Sequence, residues 1–219
     1  MDCLTNGKAE EWERFSMQIP DFPHGKDHFI HREWIINAID CGSLASVEWM
    51  LSKNVNLHFI DDEGYSVLHT CIERDNADKY EILQLLIDSG ADVNVGNNLA
   101  SMAINSWTPL HLAAARNDLD AIKILLENGA DSSLKTIIDN YCNAEEEATI
   151  LGQNEAADFI RNYQSAKKQK NKKTNQQKTK NKSTKNKKQK TKNKSTNQQK
   201  TNQQKTNQQM NNRLMTYDL

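Results

Sequence analysis

"WTPLHLAAARNDLDAIKILLENGAD", residues Trp107–Asp131, is the stretch from which the fold can be read. Thr108 and Pro109 turn the chain into a first helix, since proline is tolerated where a helix begins and its missing N–H would have no partner. The small side chains Ala113, Ala114 and Ala115 let that helix lie close against its neighbours. A second helix follows, with Ile122, Leu125 and Leu126 at i, i+3 and i+4 on one apolar face. Gly129 stops it by supplying the left-handed conformation that a helix C-terminus favours.

The same order of features recurs. "SVLHTCIERDNADKYEILQLLIDSGADVN" (Ser66–Asn94) again has a hydroxyl residue, Leu-His, a short helix, a second helix carrying Ile82, Leu85 and Leu86, and a stop at Gly90. Fainter copies lie at "EWIINAIDCGSLASVEWMLSKNVNLH" (Glu33–His58) and "NAEEEATILGQNEAADFIRNY" (Asn143–Tyr163). One such unit cannot bury its own apolar face, whereas four stacked units make a continuous core.

These residues resemble the ankyrin repeat, whose signature Thr108-Pro109-Leu110-His111-Leu112-Ala113 matches at every fixed position. The resemblance covers residues 32–163 and implies an all-α solenoid of four helix-turn-helix repeats with projecting hairpins, near 32–60, 61–94, 103–133 and 134–163. Glu145, Glu146 and Glu147 stand where an internal repeat is mostly apolar, so the fourth copy reads as a cap. Residues 1–31 form a leader in which "KAEEWERFSMQI" is expected to be a short helix, with Trp12 and Phe15 inward and Pro20 at its end.

The resemblance also implies a function class, non-enzymatic binding of a partner protein, and the positions that perform it. Transferred residue by residue, the contact positions are Asp62, Glu63, Tyr65, Glu73 and Arg74 in repeat two, and Ile104, Asn105, Trp107, Ala115 and Arg116 in repeat three. Aromatic residues and arginine are the side chains most often found as interface hot spots. Two departures from the repeat lie nearby. Three extra residues fall in "ERDNADKYE", between the helices of repeat two. Six more fall in "VGNNLASMAINSW", the connection to repeat three that the family folds as a hairpin.

No catalytic chemistry is legible. His69 and His111 each sit in the Leu-His of a signature, where the family uses histidine structurally. His24, His28 and His31 have a spacing that a helix would put on one face, but Pro23 and Gly25 oppose that helix, and no metal site is expected. Phosphate loops, dinucleotide fingerprints and nucleophile elbows are missing from the sequence, and no cofactor is expected. Cys3, Cys41, Cys71 and Cys142 form no CxxC pair, and free thiols are the simplest reading.

Charge divides the chain in two. Residues 1–166 carry 11 Lys+Arg against 28 Asp+Glu, a net of −17, while residues 167–219 carry 17 against one, a net of +16. After Tyr163 the composition turns to Lys, Asn, Gln, Thr and Ser, with "KTKNKST" at Lys178 and Lys190 and "NQQKT" at Asn175, Asn197 and Asn202. From Lys167 to Gln209 no apolar side chain occurs, so residues 164–219 are expected to be a disordered low-complexity tail. The acidic head also suits an inhibitor that masks a basic enzyme, and the tail suits weak, non-specific contact with nucleic acid phosphates. With no signal peptide and no apolar run of membrane-spanning length, the expectation is a monomer in the cytoplasm, with "KKQKNKK" (Lys167–Lys173) able to direct it to a nucleus.

Overall fold

Each Leu-His signature begins a pair of antiparallel helices, and pairs stacked side by side build the first of two units, Met1–Gln164. The computed structural model describes residues 2–29, 31–61, 64–96, 107–136, 141–171, 197–198 and 202–209. Helices α1 (Asp2–Asn6) and α2 (Ala9–Gln18) come first, then α3 (Trp34–Cys41) with α4 (Leu44–Ser52), α5 (Val67–Glu73) with α6 (Lys79–Asp88), and α7 (Pro109–Ala115) with α8 (Leu119–Glu127). α9 (Ala144–Ile150) is followed by α10, helical over 154–164 within this unit. α3, α5, α7 and α9 pack in sequence as one layer, and α4, α6 and α8 as the other. Before α3, α5 and α9 the chain turns back through single antiparallel bridges, Lys26 to Glu33, Ile60 to Ser66 and Lys135 to Asn143.

Caps explain why these short helices start where they do. Thr108 accepts the amide of His111, Asn143 that of Glu146, and Ser66 that of Leu68, satisfying donors the first turn leaves open. Pro109 occupies the first turn of α7, as its sequence position requires. Burial follows the pattern in repeat three, where Ile122, Leu125 and Leu126 are buried. Counted back from Gly90 and Gly129, repeat two buries the same face, but its residues fall one position away from the expected Ile82, Leu85 and Leu86 set. Ile82, Leu83 and Leu86 are buried, while Leu85 is half-buried. The extra residues of that repeat are also divided, because the loop 74–78 is longer than 116–118 and α6 has 10 residues against 9 in α8.

The stop at Gly129 has φ +93°, and Ala130 N–H reaches back to Leu125 O at 2.9 Å. A Cβ at Gly129 would meet nothing within 4 Å, so only backbone conformation opposes a side chain there. Gly129→Ala should therefore lower the unfolding free energy by about 1 kcal/mol. Gly129→Asn should cost measurably less, and urea unfolding of both would show whether the left-handed cap is responsible.

The outer edge of repeat four is polar for a physical reason. In the registers where α7 and α8 bury Leu110 and Leu126, α9 and α10 carry Glu145 and Arg161, which pair with each other at 2.8 Å. At the other end, α1 and α2 add a helix pair ahead of repeat one, of which only α2 is expected from the sequence. Trp12 is buried as expected and lies 5.8 Å from Trp49, but Phe15 is exposed. The inward aromatic is Phe22, stacked on Trp49 at 5.5 Å and edge-on to Trp34 at 5.1 Å.

The second unit, Ser165–Leu219, is helical over 165–171 and over 202–209 (α11). Lacking apolar side chains rules out a core, not a helix, and Lys and Gln are good helix formers. Among the described residues no helix is long and apolar enough to cross a membrane.

Candidate functional site

Tyr65 and Trp107, which precede the capping residues of α5 and α7, line one hollow of about 200 Å³ together with Gly64, His69 and Leu112. Each wall has a local cause. Gly64, at φ +90°, closes a tight turn in which Gly64 N–H donates to Asp61 O at 3.0 Å. Asp61 then holds Tyr65 from both sides: its amide donates to Tyr65 O at 3.0 Å, and its Oδ1 accepts the Tyr65 amide at 2.7 Å. The Tyr65 ring leans on the His69 imidazole, 5.3 Å between centroids.

His69 sets the width of the hollow. The Ser66 amide donates to its Nδ1 at 3.1 Å, which leaves the ring proton on Nε2 to donate to Trp107 O at 3.1 Å. His111 repeats the device one repeat later, from the Thr108 amide at 3.2 Å to Cys142 O at 3.1 Å. Both rings are buried, and burial lowers both pKa values, that of His69 to about 4. These histidines are neutral staples between consecutive repeats, with both nitrogens engaged. Nothing in this arrangement activates a nucleophile.

The remaining contact positions separate. Glu73 and Arg116 are exposed at the opposite ends of α5 and α7, about 10 Å along a seven-residue helix from the hollow. Arg116 lies 3.8 Å from Asp75, and Ala115 is half-buried beside it. Asp62, Glu63, Ile104 and Asn105 lie outside the described residues.

Arg74 requires a correction. It is 3% exposed, and its guanidinium donates to Ile39 O at 2.7 Å, Gly42 O at 2.8 Å and both oxygens of Asp78 at 2.9 and 2.8 Å. It occupies the contact register but caps the carbonyl end of α3, leaving no donor face for a partner. The signal for this role was Asp78, four residues on. The stretch holding His24, His28 and His31 is turn and bridge rather than helix, so their one-face spacing is not realised. Among the described residues no group of three or more His, Cys, Asp or Glu side chains could hold a metal ion.

A stack of helix pairs stapled through buried histidines, with aromatic side chains at the turns, defines a helical-repeat scaffold. Residues 76–174 match the family model described as ankyrin repeats in three copies. That match covers a little under half of the chain and supports an ankyrin repeat protein, a class whose repeats generally mediate protein–protein interaction. It is 32% identical over 101 residues to the ankyrin repeat and KH domain-containing protein mask-1 of Caenorhabditis elegans, covering 46% of this chain and 4% of that one. It is 32% identical over 149 residues to the E3 ubiquitin-protein ligase hecd-1 of the same organism, covering 63% and 5%. A third relative, the putative ankyrin repeat protein R599 of Acanthamoeba polyphaga mimivirus, is 31% identical over 101 residues, covering 42% and 25%. The chain thus spans a quarter or less of the length of these relatives.

Proposed function

We propose that this chain is a non-enzymatic binding module that holds a partner protein against the turns and first-layer helices of repeats two and three. The observation that carries this reading is the hollow between Tyr65 and Trp107. Two half-buried aromatic side chains from different repeats are held by backbone bonds around it. Large, rigid aromatics in such hollows supply binding energy at little entropic cost. Glu73 and Arg116 serve as a second, polar contact region.

The test is capture with the full chain as bait beside a Tyr65→Ala, Trp107→Ala double variant. The double variant should weaken the relevant complex at least about tenfold while keeping the helical circular dichroism of the parent. Identical captured sets from two equally folded baits would remove the hollow from the binding surface.

A second reading rests on charge. The net −17 of residues 1–166 supports masking of a basic enzyme, and loss of that enzyme's activity on complex formation would favour it. The net +16 of residues 167–219 supports an additional association with nucleic acid, whose affinity would fall steeply with salt.

A further inference from the structure

We infer that the Tyr65–Trp107 hollow seats one cationic side chain, lysine or arginine, of the bound protein. This rests on the binding-module reading and adds the chemistry of the residue recognised.

Size comes first. About 200 Å³ is below the roughly 300–1,000 Å³ of small-molecule pockets, so the hollow suits a single side chain. Its walls are formed by the aromatic side chains of Tyr65 and Trp107, the His69 imidazole and the apolar Leu112, itself only 5% exposed. Aromatic faces are negative at their centres and attract ammonium or guanidinium groups, and the apolar stem of such a side chain gains by lying along Leu112. The imidazole of His69 adds no competing charge, because its nitrogens are committed to Ser66 and Trp107 and burial keeps it neutral.

Electrostatics then select the sign. The exposed Asp61 lines the hollow one repeat earlier, but its carboxylate oxygen lies 2.7 Å from the amide of Tyr65 and its charge acts on the His69 ring, both of which line this hollow. A carboxylate guest would face repulsion from Asp61 and from the ring faces. A neutral aliphatic guest would gain burial alone.

The hollow one repeat earlier makes an instructive contrast. It is lined by Lys26, Arg32, Glu33, Ile36, Phe59 and Asp61 among others, and Arg32 stands in the register of Tyr65 and Trp107. Cations already line that hollow, and Arg32 pairs with Asp40 at 2.9 Å. In sequence this register is aromatic in repeats two and three, Tyr65 and Trp107, where repeats one and four have Arg32 and Cys142.

The test uses the isotope-labelled full chain and the indole N–H resonance of Trp107, assigned among the four tryptophans with a Trp107→Phe variant. The probes are Nα-acetyl-lysine amide, Nα-acetyl-arginine amide and the uncharged Nα-acetyl-norleucine amide. The two cations should saturate the shift at concentrations about three- to fivefold lower than norleucine amide. Asp61→Asn, which preserves an oxygen for the Tyr65 amide, should narrow that gap, and Tyr65→Leu should abolish it in a chain with otherwise unchanged spectra. Equal or tighter response to norleucine amide would overturn the cationic assignment. So would an indole signal indifferent to all three probes. In both cases a partner still lost in the Tyr65, Trp107 double variant would leave the binding-module reading standing.

Discussion

Arg74→Ala should lower the unfolding free energy of the chain by about 3 kcal/mol, as expected when one partner of a buried ion pair is removed. The guanidinium satisfies several acceptors at once. It covers the carbonyls of Ile39 and Gly42, and the Asp78 carboxylate at the start of α6. Alanine leaves those acceptors without their donor and opens a route for water between repeats one and two. Asp78 is 26% exposed on its side chain and regains some hydration, which keeps the cost toward the lower end for such pairs. Arg74→Lys retains a charge but cannot span two carbonyls and a bidentate carboxylate, so it should recover only part of the loss. Urea unfolding at pH 7 separates this from a role in binding. A surface contact residue would leave the unfolding midpoint unchanged while weakening a complex, and a loss below about 1 kcal/mol would sink the capping role.

Arg74 also shows why part of the site was not legible in the sequence. Equivalent positions on a repeat share a register, but they need not share an environment. Arg116 and Arg74 follow the first helix of successive repeats. The longer loop 74–78 places Asp78 where Arg74 can fold inward to it, while Arg116 remains at the surface near Asp75. By contrast, Tyr65 and Trp107 could be paired from sequence because their position is fixed by the capping residue that follows each. The helix pairs were legible for the same reason. Thr108, Ser66, Gly90 and Gly129 are local devices whose effects do not depend on distant contacts.

The N-terminal pair illustrates the opposite case. Leu4 and Trp12 are buried against repeat one, and the Ser43 amide donates to Leu4 O at 3.0 Å. No signature motif announces this pair, and its one regularity is that Gly7 precedes Gly42 by about one repeat length. Phe22 is likewise invisible as a core residue in the sequence, since its burial depends on Trp34 and Trp49 closing around it.

The staple histidines lead to the second large effect, a loss of stability in mild acid. In the unfolded chain His69 titrates near 6.5, whereas in the fold burial holds it at about 4. The unfolded state therefore gains a proton as pH falls below 6.5 and the folded state does not, so unfolding becomes progressively easier down to about pH 4. At pH 5 His69 alone should have cost about 2 kcal/mol relative to pH 7. His111, lowered for the same reason, acts in the same direction and deepens the loss. Between pH 7 and 5 ordinary carboxylates remain mostly ionised, which makes this window chiefly histidine's. Unfolding free energies of the parent and of His69→Gln, measured at both pH values, give the test. The variant starts less stable at pH 7 because it loses the bond to Trp107 O, yet its pH dependence should be shallower by about 2 kcal/mol. Equal slopes in parent and variant would mean that His69 is protonated within the fold. Its Nδ1 would then be a donor facing the Ser66 amide, and the neutral staple that sets the width of the Tyr65–Trp107 hollow could not exist as described.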